Sequence, residues 1–214
     1  MSNPTVIFDF DGTIADTLDV IIKILNKLSD EFHFKKIKDD EIEYLRGKRP
    51  RKILRHLGIS LIKLPFVVRK TRKEINNQIA YLKPPLELRE PLLELKKRGC
   101  KIGILTTNVE SNVQKFLQGN NLDIFDFFYS GPSVFGKHKI IKKILHDKKL
   151  NPNQVFFVGD EVRDITAGKK SKIHTIGVAW GYNTKEALIK ENPEHVIDSP
   201  TELLKIVFPK EKEV

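Results

Sequence analysis

Asp9 and Asp11 stand two residues apart at the end of the apolar run Val6-Ile7-Phe8, and Gly12 and Thr13 follow them. The β-branched and aromatic residues predict a buried strand over 5–10, whose period of two turns both carboxylates to the same side. Two ionised carboxylates so close repel. A divalent cation between them removes the conflict, because it reverses the local electrostatics and hard oxygen ligands suit Mg²⁺. Gly12 then lets the backbone turn sharply past the site. An Asp-Gly surface turn would use the same residues, but the flanking Ile7, Phe8 and Phe10 favour burial. The group reads as a phosphoryl-transfer site.

Polar residues close other apolar segments further along the chain. Thr106, Thr107 and Asn108 follow Ile102-Gly103-Ile104-Leu105. The Thr106 hydroxyl can donate to a phosphate oxygen, assisted by backbone N–H groups of the next turn at a helix N-terminus; a threonine there can also be a plain helix cap. Gly159-Asp160-Glu161-Val162-Arg163-Asp164 follows Val155-Phe156-Phe157-Val158. Asp160 can complete the ligand set of a cation, and Asp164 can support that set or cap the next helix. Lys137, at a loop-to-helix junction after Gly136, is the cation best placed to balance the carboxylates and an incoming phosphate. Its neighbours His138 and Lys139 are expected to be solvated.

These residues meet only if the segments that carry them are parallel strands of one sheet. After residue 85 the chain alternates helices at 88–98, 110–118, 137–148 and from 164 with apolar strands at 101–106, 125–129, 155–159 and 174–179. A strand around Val196 and a helix at 203–207 follow. Such alternation predicts an α/β fold with a doubly wound parallel sheet, whose ligands bind beyond the carboxyl ends of the strands. Residues 17–83 read instead as an all-helical insert. Leu18, Ile21, Ile22, Leu25, Leu28 and Phe32 fall at helical spacing, as do Leu64, Val68, Ile75, Ile79 and Leu82 after Pro65, with shorter helices near 39–46 and 50–57. Lys83-Pro84-Pro85 ends the insert as a stiff connector.

Composition bounds the rest. A chain of 214 residues, 40% of them hydrophobic, is long enough for one core with an inserted subdomain or for two small domains. The single cysteine, Cys100, excludes a disulfide framework and is expected to be a small core residue. No stretch approaches the roughly 18 apolar residues that span a bilayer, and the N-terminus lacks a basic-then-apolar signal pattern, so a soluble, cytoplasmic protein with no membrane partner is expected. The net charge of +10 is local: residues 17–83 hold 17 Lys or Arg against 8 Asp or Glu, and the remainder 21 against 20. Arg46, Lys48, Arg49, Arg51, Lys52 and Arg55 form one basic cluster, and Arg69, Lys70, Arg72 and Lys73 a second.

Asp9-Phe10-Asp11-Gly12-Thr13, Ile104-Leu105-Thr106-Thr107-Asn108, Lys137 and Gly159-Asp160-Glu161-Val162-Arg163-Asp164 together resemble, in order, the four motifs of the haloacid dehalogenase superfamily of phosphotransferases. The helical insert resembles the small α-helical cap of its phosphoglycolate-phosphatase-like and β-phosphoglucomutase-like branch. The resemblance implies a Rossmann-like core at 1–16 and 84–214 and a cap at 17–83 that closes over the site, with hinges near Asp16-Thr17 and Lys83-Pro84. It implies that Asp9 attacks phosphorus, that Asp11 is the general acid and base, and that Thr106 and Lys137 stabilise the transferred group. It also implies Mg²⁺ held by the side chains of Asp9 and Asp160 and the backbone carbonyl of Asp11, with Asp164 orienting the metal shell. Thr107 and Asn108 are expected beside the substrate. Arg46, Lys48, Arg49 and Arg51 fall where related caps dip toward the substrate, which would favour a small acidic phosphate monoester; charge runs are also commonly solvated faces.

The implied function is that of a Mg²⁺-dependent phosphatase acting on a small phosphorylated metabolite, as a monomer or homodimer. A phosphomutase would use the same motifs. A 2-haloacid dehalogenase fits less well, because Asp11 and the metal motif are present, and phosphonate hydrolysis through a cap lysine is a further reading. The rival from another class is a nucleic-acid-binding or regulatory protein with a vestigial core and a basic cap. Few aromatics near the basic cluster, and the joint presence of Asp9, Asp11, Thr106, Lys137 and Asp160, make nucleic acid the weaker expectation. The six histidines show no metal-ligand spacing. Trp180-Gly181-Tyr182 is expected to pack beside a strand end, and Phe125-Asp126-Phe127-Phe128-Tyr129 to lie in the core.

Overall fold

The computed structural model describes residues 3–131 and 136–209. Six strands form one wholly parallel sheet in the order β3-β2-β1-β4-β5-β6: β1 (Thr5–Phe8), β2 (Lys101–Thr106), β3 (Phe127–Ser130), β4 (Val155–Gly159), β5 (His174–Val178) and β6 (His195–Ile197). The chain starts at the centre, runs outward through β2 and β3, and returns to the other side of β1 as β4. Between β1 and β4 the connections leave in opposite directions, which opens a crevice beyond their carboxyl ends. This is the α/β class expected from the alternation of elements.

Ahead of β2 come α1 (Leu18–Phe32), α2 (Ile42–Arg46), α3 (Pro50–Leu57), α4 (Leu64–Gln78) and α5 (Arg89–Lys97). Then follow α6 (Glu110–Gly119), α7 (Lys137–Asp147), α8 (Val162–Ser171), α9 (Lys185–Ile189) and α10 (Leu203–Val207). Helices cover both faces of the sheet, so β1 reads as a continuous apolar run rather than an alternating one. Val6, Phe8, Ile104 and Val158 cluster with Leu92, Leu95, Phe116 and Leu203. On the opposite face Ile7, Leu105 and Phe157 meet Ile141, Ile144 and Ala167. Burying each such side chain contributes about 1.5–3 kcal/mol.

The helices between β1 and α5 are anchored twice. Ile24 and Leu28 of α1 and Ile75 of α4 extend the main core, whereas Ile37, Leu45, Leu57 and Ile59 form a small core of their own. Pro50 opens α3, where its missing N–H costs nothing. The two chain crossings lie side by side: the Asp16 N–H donates to the Lys83 carbonyl at 2.9 Å.

Several expectations shift. β1 stops at Phe8 instead of residue 10, because the Phe10 carbonyl accepts N–H groups from Thr13 (3.2 Å), Ile14 (2.9 Å) and Ala15 (2.9 Å) and folds the chain into a turn. Asp11 is therefore delivered by that turn and not by strand alternation. Phe127, Phe128 and Tyr129 are half-buried rather than core, since β3 is the edge of the sheet. The short α9 has no counterpart among the expected elements; five residues give too little periodicity, though Thr184 carries a local signal by accepting the Ala187 N–H at 3.2 Å. Cys100 is buried as expected, and burial pushes its thiol pKa up to about 11. No helix among the described residues is long and apolar enough to cross a membrane.

Candidate active site

Asp9 follows the last residue of β1, and its N–H still donates to the Val158 carbonyl of β4 at 2.8 Å, so its backbone is held by the sheet. Its side chain is 6% exposed. One carboxylate oxygen accepts the Phe10 N–H at 2.8 Å, and the other lies 2.5 Å from the Lys137 ammonium. Lys137 opens α7 and reaches Asp164 Oδ1 at the same 2.5 Å, so one buried ammonium bridges two carboxylates. Burial works against the Lys137 charge, but Asp164 and Asp9 outweigh it and hold the pKa above the ordinary lysine value. Burial raises the Asp9 pKa; Lys137 opposes that rise and Asp164 adds to it.

Asp160 follows β4 and is fully buried. Oδ1 accepts the Thr13 hydroxyl at 2.8 Å, and Oδ2 accepts the Tyr182 N–H at 2.7 Å. Two glycines make room for it: a Cβ on Gly12 would stand 2.3 Å from Asp160 Oδ2, and one on Gly181 2.3 Å from Asp160 Cβ. Gly12 also has φ +81°, which other residues adopt only with strain. Burial, then Asp9, Glu161 and Asp164, push the Asp160 pKa well above the carboxylate range.

Asp164 holds two positions at once. It is the third residue of α8, not its N-cap; Glu161 is the N-cap, and its N–H donates to Asp164 Oδ2 at 3.0 Å. The other oxygen is the one bound to Lys137. Thr106 likewise is no helix cap: α6 starts at Glu110 after Val109, and the Thr106 hydroxyl accepts the Asn108 N–H at 3.0 Å. That leaves its proton free to donate.

Asp9, Asp160 and Asp164 each offer a carboxylate oxygen within 4.8 Å of the others, all buried. The Asp11 carboxylate lies outside this group. Five acids, Asp9, Asp11, Asp160, Glu161 and Asp164, meet two cations, Lys137 and Arg163, so the site carries excess negative charge. An all-oxygen donor set with that excess, in which burial above all raises the Asp9 and Asp160 pKa values, fits a hard divalent cation such as Mg²⁺.

Asp11 faces elsewhere. With Thr107, Asn108, Arg163 and Tyr182 it lines a cavity of about 350 Å³ whose other wall comes from α1, α3 and α4. Burial first, then the charge of Asp9, push its pKa up to about 7, while Lys137 pulls it down. Its Oδ1 is buried without a hydrogen-bond partner.

The basic residues of the insert are dispersed. Arg46 donates to the carbonyls of Ala179 (2.9 Å) and Gly181 (2.8 and 3.1 Å) and pairs with Glu43 at 2.8 Å. Asn183 returns a bond to the Arg46 carbonyl at 2.8 Å. Lys48 stacks over Tyr44 and Arg49 pairs with Glu191 at 3.6 Å; both line a separate cleft of about 610 Å³ shared with Lys137 and Arg163. Arg51 is exposed. None of these four lines the Asp11 cavity, where Arg72 of the second cluster stands instead. Tyr182, which by its place could border the site but is expected rather to pack, gives its N–H to Asp160 and shares a 2.5 Å hydroxyl contact with Thr17. The sequence signal for it was its place just after β5, on the edge where strand ends gather.

A doubly wound sheet with buried carboxylates at the β1–β4 crevice defines an α/β enzyme of the hydrolase type. Residues 6–178 match the model of the haloacid dehalogenase-like hydrolases, and the chain belongs to that family. A phosphoglycolate phosphatase of Synechococcus elongatus is 28% identical over 207 residues, covering 94% of this chain and 96% of that protein. The pyrophosphatase PpaX of Bacillus mycoides is 26% identical, covering 95% and 96%. Among solved structures, a haloacid dehalogenase-like hydrolase of Streptococcus pneumoniae superimposes with a TM-score of 0.81 at 21% identity, covering 95% of this chain and 98% of that one.

Proposed function

We propose that this hydrolase is a Mg²⁺-dependent phosphatase that cleaves a small phosphate monoester through an aspartyl-phosphate on Asp9. The observation that carries the reading is the Lys137 ammonium held between Asp9 and Asp164 beside the fully buried Asp160. Relatives bearing phosphatase and pyrophosphatase names support hydrolysis over transfer to a second sugar.

Asp9, whose charge Lys137 favours against the burial that opposes it, attacks phosphorus as the carboxylate, and the bond from phosphorus to the leaving oxygen breaks. Asp11, whose pKa of about 7 suits proton exchange near neutrality, gives its proton to that oxygen. In the second step Asp11 takes a proton from water, which attacks the phosphoryl group and frees Asp9. Thr106 and Lys137 donate to the transferred oxygens, and the charge they stabilise is greatest as the bonds exchange. Asp9 and Asp160, with the Asp11 backbone carbonyl, would hold Mg²⁺ while Asp164 steadies the set; the bound cation would neutralise the carboxylates and polarise the phosphoryl group.

Residues 17–83 act in this reading as a cap over residues 1–16 and 84–214, joined through the paired crossings at Asp16 and Lys83. The decisive assay is phosphate release from p-nitrophenyl phosphate. Release that requires Mg²⁺ and vanishes in Asp9→Asn is expected; equal release by both proteins would remove Asp9 from the mechanism.

A further inference from the structure

The cavity that opens at Asp11 is where the leaving group must sit, because the residue that protonates the leaving oxygen lines it. Its far wall is supplied mainly by side chains without polar atoms, Ile53 and Leu54 of α3, Leu64 and Val68 of α4, and Ile21 and Leu25 of α1, with Thr71, Arg72 and Asn76 of α4 beside them. Ile53, Leu54 and Leu64 are only half-buried and Val68 is 39% exposed, so their apolar surface is not consumed by the small helical core beneath. About 350 Å³ lies at the small end of ligand sites, which are mostly apolar with a few polar groups that set orientation.

Polar groups line the near side, at Asp11, Thr107, Asn108, Arg163 and Tyr182, and are fewer on the far wall, at Thr71, Arg72 and Asn76. Thr71 Oγ1 is buried with no hydrogen-bond partner, as is Asp11 Oδ1 on the facing side. Arg72 is exposed at the margin and makes no ion pair with the described residues. A leaving group as compact and charged as a carboxymethyl alcohol or a second phosphate would lie against hydrocarbon on the far wall, with Arg163 already paired with Glu161 and Arg72 standing only at the exposed margin; a buried charge without a partner is costly. Arg46, the cation best placed by sequence to pair with such a group, is already bound to the carbonyls of Ala179 and Gly181.

From this juxtaposition we infer that the physiological substrate is a phosphate monoester whose alcohol carries an apolar body, packed against α3 and α4, and at most one hydrogen-bonding group near Thr71. The inference rests on the phosphatase reading above and adds the chemical class of the leaving group. Selectivity then comes from hydrophobic burial, which grows with the apolar area removed from water.

The test is a series of n-alkyl phosphates from ethyl to hexyl, whose alcohols differ little in acidity, assayed beside phosphoglycolate and pyrophosphate with Mg²⁺. From about 0.8 kcal/mol per buried methylene, kcat/KM is expected to rise about fourfold per carbon, on the order of two hundredfold from ethyl to hexyl. Hexyl phosphate should exceed phosphoglycolate and pyrophosphate. Val68→Glu, which places a charge on the wall, should collapse the hexyl-to-ethyl ratio toward one. A flat or falling series, faster turnover of phosphoglycolate or pyrophosphate than of hexyl phosphate, or a ratio unchanged in Val68→Glu overturns the inference while leaving the phosphatase reading intact. No Mg²⁺-dependent release from any ester, at a level that Asp9→Asn abolishes, overturns both.

Discussion

Two regions meet at Asp11 and are built on opposite terms. At the carboxyl ends of β1 and β4 the carboxylates are held from several sides: Asp160 by Thr13 and Tyr182, Asp9 by Phe10 and Lys137, Asp164 by Glu161 and Lys137. Across the cavity, α3 and α4 present hydrocarbon, and the buried Thr71 hydroxyl has no partner. Rigid polar networks fix where a reaction occurs, because a displaced member leaves a buried charge uncompensated. An apolar wall imposes no such geometry and can be exchanged residue by residue. On the proposed reading, chemistry and selectivity reside in different elements of this chain, the sheet edge and the helices of residues 17–83.

The comparison breaks most sharply at Asp9. Asp9→Asn keeps the side chain's shape but removes the nucleophile and one of its two acceptor oxygens, and turnover should fall on the order of 10⁴-fold or more for every ester tried, with no change in their rank. A rank that shifts would mean that the sheet edge also selects. Lys137→Met should lower kcat on the order of 10³-fold, since one ammonium serves both the carboxylates and the transferred oxygens. Steady-state kinetics at saturating Mg²⁺ measure it, and a loss confined to KM would reassign Lys137 to ground-state binding.

Stability sharpens the same contrast. Phe116 of α6, fully buried and edge-to-face with Phe10, should cost about 3–5 kcal/mol as Phe116→Ala in urea unfolding. The half-buried Ile53→Ala should cost about 1 kcal/mol and weaken long-chain esters selectively. Equal costs would show that the cavity wall is structural core. The smallest effect is expected at Arg46. Arg46→Ala frees the loop at 179–183 that presents the Tyr182 N–H to Asp160, so about a tenfold higher Mg²⁺ requirement is expected, with the rank of esters unchanged. A titration of activity against Mg²⁺ concentration checks it, and a change in ester preference would return Arg46 to the substrate.

Strand-end residues were legible because buried parallel strands leave few places for polar side chains, so each apolar run announces the residues that close it. Asp9, Asp160 and Asp164 are legible this way, Lys137 instead from its loop-to-helix junction after Gly136, and the four converge. What could not be read was how they divide the work. The two bonds of Asp164 depend on α8 starting at Val162, and helix starts are set within a residue or two by cap geometry rather than by composition. Arg46 looked like a substrate ligand because its partners, the carbonyls of Ala179 and Gly181, lie more than 130 residues away and carry no side-chain signature. The cavity was invisible for a related reason. Leu54, Leu64 and Val68 read as one helical stripe, and which members of a stripe are left uncovered depends on how far the helices stand from the sheet edge.

The central claim is covalent: during turnover the phosphoryl group resides on Asp9. Acid quenching of the enzyme with substrate and Mg²⁺, followed by mass spectrometry of its peptides, tests it most directly. A phosphoryl group on the peptide containing Asp9, present in the wild type and absent in Asp9→Asn, is the predicted result. Undiminished phosphate release by Asp9→Asn, or a phosphoryl group trapped on another residue, would contradict it.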